Sequence, residues 1–176
     1  ARGLTKTNST FKEEMVEALV WSGTRTSYYG PSYKQMAKVG SQAFRQIEKD
    51  YPALAKHFTV DSESADRFEL STVFHSNKAI TAMRGDNVHK VVAEEYAQFD
   101  YEEFKRVVLP AVRLQYMVGG KADNTYIRFK QHSITSAGRR QNHAYETRCR
   151  HYQMMERGES AFVMDVPYDV ILLLQM

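Results

Sequence analysis

The chain has little cysteine, no long apolar run and almost no excess of charge. Cys149 is the single cysteine among 176 residues, which excludes an internal disulfide framework and indicates a reducing compartment such as a cytoplasm. No run approaches the roughly 18 apolar residues of a membrane-spanning helix. The stretch Ala1–Lys6 also lacks the apolar centre of a signal peptide. We therefore expect a soluble, cytoplasmic protein.

Other absences narrow the class further. With 24 basic and 21 acidic residues the formal charge is only +3, so the molecule is no polycation, although local basic stretches could still bind nucleic acid. The six histidines, which include His132, His143 and His151, show no zinc-like spacing. Repeats, low-complexity segments and long linkers are missing. An apolar content of 43% is enough for a buried core, so residues 1–176 are predicted to form a single domain.

Strand patterns alternate with helix patterns along the chain. Apolar residues at helical spacing predict four helices: over residues 8–21, between Pro31 and Pro52, over residues 101–117 and over residues 141–157. The third is interrupted at Pro110, and the fourth is ended by Gly158. Short apolar or β-branched runs predict strands at 26–29, 70–74, 79–83 and 126–135 and a further strand within 89–98, and those at 70–74 and 79–83 are expected to pair as a hairpin. Residues 54–67 are polar and predict a loop. This order predicts an α/β fold with a mainly parallel sheet flanked by helices.

The most informative segment is the run from His89 to Gln98. Its apolar part follows a turn-forming stretch, Arg84–Asn87, and ends in two adjacent carboxylates, Glu94 and Glu95. Paired acids at the end of a buried strand are costly unless they bind something, and a magnesium ion with a phosphate is the natural ligand. The alternative is that both acids are solvated at the start of the next loop.

A second segment has the complementary chemistry. A phosphate-binding loop requires inward backbone amides, a lysine for the outer phosphates and a hydroxyl for magnesium, all at a helix amino terminus. The residues that fit this pattern are Arg2, Gly3, Leu4, Thr5, Lys6 and Thr7. Alone, this segment is equally consistent with a basic amino terminus that caps a helix. Together with the acidic pair it predicts a nucleotide hydrolase, in which Glu94 serves the metal and Glu95 the attacking water.

Five segments in this order resemble the ATPase domain of the large terminase subunit of tailed bacteriophages, the motor that packages DNA into a procapsid. The resemblance extends from Ala1 to about Tyr168. Its segments are Arg2–Thr7 as a deviant phosphate loop, Tyr29–Gln35 as a strand leading into a helix, Arg84–Gly85, Val91–Gln98 as the acidic strand, and Ile134–Gly138 as a later strand end.

The resemblance implies a P-loop NTPase core of the RecA-like type and a role for each matched residue. Lys6 would hold the β and γ phosphates of ATP, Thr7 and Glu94 would serve Mg²⁺, the latter through water, and Glu95 would act on the catalytic water. Arg2 matches an arginine that senses the γ phosphate. The coupling motif, which relays the nucleotide state to the movement of DNA, would comprise Thr135, Ser136, Ala137 and Gly138.

The same resemblance implies partners and a location. Double-stranded DNA would be contacted through its backbone, and a homo-oligomeric ring would dock on the portal protein together with the small terminase subunit. Arg139 and Arg140, as well as Arg148 and Arg150, would contact DNA or a neighbouring subunit's nucleotide. The alternative, which is the more common one for such residues, is a solvated charged face. The implied location is the host cytoplasm, with transient docking on the viral procapsid.

Two departures from the family pattern leave other functions open. Thr5 occupies the position at which the family pattern has a glycine before the lysine. Glu94 occupies the position at which the pattern has an aspartate. No acidic cluster of an RNase H-like nuclease follows, so we expect a portion of a larger protein that does not cut DNA. The alternatives are a catalytically degenerate interaction or assembly module and a helicase-like, nucleic-acid-dependent ATPase.

Overall fold

A computed structural model describes residues 4–21, 23–73, 78–81, 87–98, 100–115, 117–118, 120–122, 131–135 and 141–165. The chain divides into two compact units, Ala1–Ser136 and Ala137–Met176. None of the helices in the described ranges combines the length and the apolar composition that a bilayer crossing requires.

The first unit is a mixed α/β structure. Its described helices and strands are, in chain order, α1 (Leu4–Val20), β1 (Thr26–Tyr29), α2 (Tyr33–Asp50), α3 (Pro52–Ala55), β2 (Phe58–Glu63), β3 (Phe68–Thr72), β4 (Lys78–Thr81), β5 (Lys90–Glu94), α4 (Tyr101–Glu103), β6 (Met117–Val118), β7 (Lys121–Ala122) and β8 (Gln131–Ile134). A 3-10 turn at Tyr96–Gln98 follows β5, and a π-helical turn at Phe104–Val108 continues α4.

The main sheet has the strand order β2-β3-β4-β1-β5-β8. Strand β1 lies between β4 and β5 and is parallel to both, and β8 is parallel to β5. Strands β2 and β3 extend the sheet as antiparallel neighbours, while β6 and β7 form a separate two-stranded ribbon. The predicted α/β class, the parallel core and the β3–β4 hairpin are therefore confirmed. The predicted loop over residues 54–67 is wrong, because α3 and β2 occupy most of it.

Helices α1 and α2 cover one face of the sheet. The core on this face joins side chains from both helices with side chains from β1, β3 and β5, including Phe11, Phe44, Tyr28, Phe68 and Val92. The helix predicted over residues 8–21 is confirmed, but it begins earlier, at Leu4, and its predicted apolar face is partly wrong. Val16 and Val20 are 49% and 65% exposed, whereas Glu14 and Glu17 are buried.

The opposite face is covered by aromatic side chains. The Tyr29 ring centroid lies 5.6 Å from that of Phe104, which lies 5.7 Å from that of Tyr96. Neighbouring residues of a strand point to opposite faces, which is why Tyr29 packs here and Tyr28 does not. The predicted interruption at Pro110 is confirmed, since a 3-10 turn at Leu109–Ala111 ends the helical segment.

The second unit contains α5 (His143–Glu156). The Asn142 side chain caps its amino terminus by accepting a hydrogen bond from the Ala144 amide at 2.8 Å. Gly158 follows its carboxyl end with a φ of 70°, a conformation that glycine adopts without strain. The predicted helix and its end at Gly158 are confirmed.

Candidate phosphate and metal site

The parallel strands bring their carboxyl ends to one edge of the sheet. Ala93 of β5 pairs with Tyr29 of β1, and Glu94 pairs with Ile134 of β8. Helix α1 runs against the strand direction, because its early residue Thr7 meets Glu94 while a later residue meets the start of β5. The amino terminus of α1 therefore lies at the edge where the strands end.

The first turn of α1 combines a lysine, a hydroxyl and the backbone amides of a helix start. Lys6 is exposed, and Thr7 is buried. The first four amides of a helix have no partner within it, and the helix dipole adds positive potential there. No acidic residue lies in this turn to offset that potential. Such a helix end favours an anion such as a phosphate.

Glu94 is the central residue of the site. It is only 5% exposed, and the Thr7 hydroxyl donates a hydrogen bond to its carboxylate. Burial raises the pKa of Glu94 above its usual value, the Thr7 hydrogen bond and the Lys6 charge lower it, and the neighbouring Glu95 carboxylate raises it. Its Oε1 atom has no hydrogen-bond partner among the described residues. A buried oxygen without a partner is costly unless a water or a ligand meets it.

Glu95 departs from regular backbone. Its φ of 51° places it in the left-handed region, which residues other than glycine rarely adopt and which is frequent at functional sites. Its Oε2 atom accepts a hydrogen bond of 3.2 Å from the Gln98 side-chain amide. The strained turn ends β5 and leaves the Glu95 carboxylate half-buried, oriented by Gln98.

Thr135 lies next to the acidic pair. It directly follows β8, and its hydroxyl accepts a hydrogen bond of 3.2 Å from the Ala97 amide, two residues beyond Glu95. The structure therefore places the first residue of the predicted coupling motif against the turn that carries Glu95. The rest of that motif, Ser136 to Gly138, lies outside the described residues.

Other predicted site residues are only partly described. Arg2 and Gly3 lie outside the described residues, as do Arg139 and Arg140, while Leu4 and Thr5 contribute the backbone that begins α1. In the second unit Arg150 is exposed.

Arg148, the remaining arginine of the predicted set, is already paired. It forms an ion pair with Asp165 and lies over the Tyr152 ring at 5.4 Å. The Asp165 hydrogen bond raises the pKa of the Arg148 guanidinium.

Sequence reasoning missed a buried charged cluster beneath the site. Lys90 Nζ lies 2.5 Å from Glu14 Oε1 and 3.3 Å from Glu17 Oε2, and the Thr26 hydroxyl donates to Glu14 Oε2 at 2.9 Å. Burial alone would lower the pKa of Lys90, but the two carboxylates raise it, so the ammonium stays charged. Two features of the sequence could have indicated this cluster. Lys90 is a charged residue at the start of an apolar strand, and Glu14 and Glu17 are acids three residues apart on one helix.

The cluster adjoins a group of possible metal ligands. Donor atoms of Glu13, Glu14 and His132 lie within 4.8 Å of one another. Glu14 already binds the Lys90 ammonium, whose charge opposes a cation. Burial, followed by the Lys90 charge, lowers the pKa of His132. We attribute this grouping to the packing of the cluster rather than to metal binding.

No protein-family model, curated protein or solved structure matches the chain.

Proposed function

We propose that the chain is an ATP-hydrolysing domain with a P-loop NTPase core that drives double-stranded DNA into a viral procapsid. The observation that carries this proposal is the contact between Thr7 and Glu94. It joins a Lys-Thr pair at a helix start to an acidic pair at the end of a parallel strand, 87 positions later in the sequence. A phosphate-bound magnesium site needs these two parts side by side.

The residues present fit a magnesium ion. The unpartnered Oε1 of Glu94 and the Thr7 hydroxyl offer oxygen atoms, the ligands that Mg²⁺ prefers. These two residues would hold the ion, with water completing its coordination at Glu94. When bound with ATP, magnesium supplies charge neutralisation at the β and γ phosphates.

The other residues of the site have distinct tasks in this proposal. Lys6 and the backbone amides at the start of α1 bind the β and γ phosphates. Glu95 orients the attacking water and accepts its proton, while Gln98 holds the Glu95 carboxylate in place. Thr135 contacts the same turn, so a change in that turn on phosphate loss would reach the coupling segment that continues to Gly138.

The partners follow from the same proposal. Arginines of the second unit would contact the DNA phosphates without reading sequence, or reach the nucleotide of a neighbouring subunit in a homo-oligomeric ring. That ring would dock on the portal protein in the host cytoplasm, with the small terminase subunit as a further partner.

A second candidate function is a degenerate assembly module that keeps the fold without activity. The two departures from the family pattern, Thr5 and Glu94, favour it, because the longer glutamate brings its carboxylate into direct contact with Thr7. In that case the Thr7–Glu94 hydrogen bond would be structural.

The test is DNA-stimulated ATP hydrolysis by the intact protein. We expect Lys6→Ala and Glu95→Gln each to lower the rate by about 10²-fold or more, because phosphate binding and general-base catalysis are lost. Lys38→Ala and Glu102→Gln change the same residue types at exposed positions of α2 and α4 and should keep the wild-type rate. Background rates for all five proteins would contradict the motor and favour the degenerate module.

A further inference from the structure

The buried cluster of Lys90, Glu14, Glu17 and Thr26, here called the Lys90 cluster, connects the two elements that carry the candidate site. The side chains of Lys90, Glu14 and Glu17 are 3%, 0% and 5% exposed. Both oxygens of the Glu14 carboxylate are used, Oε1 by Lys90 and Oε2 by the Thr26 hydroxyl. The cluster therefore joins α1 to both β1 and β5.

Stability is a weak explanation for such a cluster. Removing an ammonium and two carboxylates from water is costly, and well-packed apolar residues of similar volume are often as stable or more so. The cluster instead restricts the position of α1 relative to β1 and β5. Apolar contacts such as Phe11 with Tyr28 tolerate sliding, because the hydrophobic effect is non-directional, whereas buried ion pairs and hydrogen bonds require particular distances.

The spacing of these contacts connects the cluster to the site. Lys90 and Glu94 lie on the same face of β5, four residues or about 13 Å apart. Thr7 and Glu14 lie on one side of α1, seven residues or about 10.5 Å apart. Helix α1 is therefore attached to β5 at two points, Glu14 with Lys90 and Thr7 with Glu94. The Glu14–Lys90 attachment therefore fixes how α1 is rotated and how far it is shifted along β5 where Thr7 meets Glu94.

We propose that Lys90 is a positioning residue that holds Thr7 beside Glu94. The effect of Lys90 on catalysis rests on the proposed function, but its effect on the position of Thr7 does not. Lys90 touches neither phosphate nor metal in this proposal. It acts through α1, so its loss should affect the alignment of the reacting groups more than the binding of ATP, which Lys6 and the helix amides provide.

The main test replaces the charges by uncharged residues of similar size. The triple variant Lys90→Met/Glu14→Gln/Glu17→Gln leaves no buried charge unpaired, so we expect cooperative unfolding to persist. Lys90→Arg keeps the charge and serves as the conservative rescue. Arg45→Met/Glu48→Gln removes an exposed ion pair on α2 and serves as the control.

Two readouts separate positioning from stability. In the unliganded intact protein, the nuclear Overhauser effect between the Thr7 methyl group and the Glu94 side chain should weaken several-fold in the triple variant. In the ATPase assay, kcat should fall about tenfold or more with KM for ATP changed by less than about threefold. Lys90→Arg and the α2 control should stay near wild type in both.

A triple variant that folds and keeps the wild-type Overhauser effect and kcat would overturn the proposal. If the triple variant does not fold, Glu14→Gln tests the same point, since it removes the Lys90–Glu14 ion pair but leaves Lys90 paired with Glu17; an unchanged Overhauser effect there would also overturn it. A wild-type protein without ATPase activity would contradict the proposed function alone, because the Overhauser effect needs no activity.

Discussion

At the scale of single residues, Glu95 shows a conflict between stability and chemistry. Its backbone at φ 51° costs about 1–2 kcal/mol for a residue with a Cβ atom. A glycine would adopt this conformation freely, yet the position carries the carboxylate that the proposed reaction needs. Strain of this kind at the end of a strand is retained where a side chain must point in a particular direction.

Replacing Glu95 by glycine should stabilise the fold. The relief of strain exceeds the extra chain entropy that glycine loses on folding, and we expect a net gain of about 0.5–1 kcal/mol in the free energy of unfolding, together with loss of ATPase activity. Urea unfolding measures the first effect. Glu95→Gln keeps the strained backbone and should leave stability within about 0.5 kcal/mol of wild type. A glycine variant less stable than wild type would show that the backbone is not strained.

Glu94 makes stability depend on pH. Its pKa is raised in the fold above the usual value of 4.5, so the folded state binds its proton more tightly than the unfolded state does. The favourable contribution of this proton is complete below about pH 4 and is lost as the pH rises through the folded pKa. Stability attributable to Glu94 therefore decreases from acid towards neutral pH.

Glu94→Gln should remove this dependence. The glutamine keeps the shape and an acceptor for the Thr7 hydroxyl, so we expect nearly equal stability at pH 4 and an advantage for the variant at pH 7, because the burial that raises the pKa of Glu94 penalises its charged carboxylate there. Urea unfolding at both pH values measures the difference. The exposed residue Glu102 provides the control, since Glu102→Gln should show no comparable rise. A variant advantage that is constant with pH would contradict the burial of an ionisable Glu94.

At the scale of secondary-structure elements, the strands with a clear pattern of burial were predicted and the strand without one was missed. Strands β1 and β5 are buried along their whole length. Their sequence pattern predicted the bounds of β1 and located β5 within the longer run 89–98. Strand β2 was missed because it lies at the edge of the sheet, where Phe58 is buried but Thr59, Asp61 and Glu63 are exposed. A polar edge strand has the composition of a loop.

Helix α1 shows a different reason for error. Its existence was predictable from periodicity, but its buried face was not, because the helix buries Glu14 and Glu17 and exposes Val16 and Val20. The compensating charge comes from Lys90, more than 70 positions away. A pattern within one helix carries no information about a partner on a distant strand, so the Lys90 cluster required the structure.

The candidate site was partly predictable for a related reason. Local patterns indicated the chemistry of Lys6, Thr7 and the acidic pair, and the parallel sheet explains why they share an edge. The direct Thr7–Glu94 hydrogen bond and the φ of Glu95 could not be predicted. The hydrogen bond depends on where α1 lies along β5, which is a property of packing rather than of sequence spacing.

At the scale of the whole molecule, the proposed motor needs contacts with DNA that do not depend on sequence. Two arginines on α5 offer a matched comparison. Arg150 is exposed, whereas the Arg148 charge is partly compensated by Asp165. If the second unit contacts DNA phosphates, the arginine without this compensation should release a counterion on binding, and the paired arginine should release less.

The dependence of DNA stimulation on salt tests this directly. For the intact protein, the concentration of duplex DNA that gives half-maximal stimulation of ATP hydrolysis should rise steeply as salt is raised from about 50 to about 200 mM. This rise should not depend on the DNA sequence. Arg150→Ala should reduce the slope of log affinity against log salt by about 1, and Arg148→Ala by less. The rate without DNA should vary little, which excludes a general salt effect on the enzyme. Equal slopes for wild type and Arg150→Ala would remove Arg150 from the DNA contact.

Stronger stimulation by single strands, with unwinding of a duplex, would favour a helicase-like ATPase, because a packaging motor moves along DNA that stays paired.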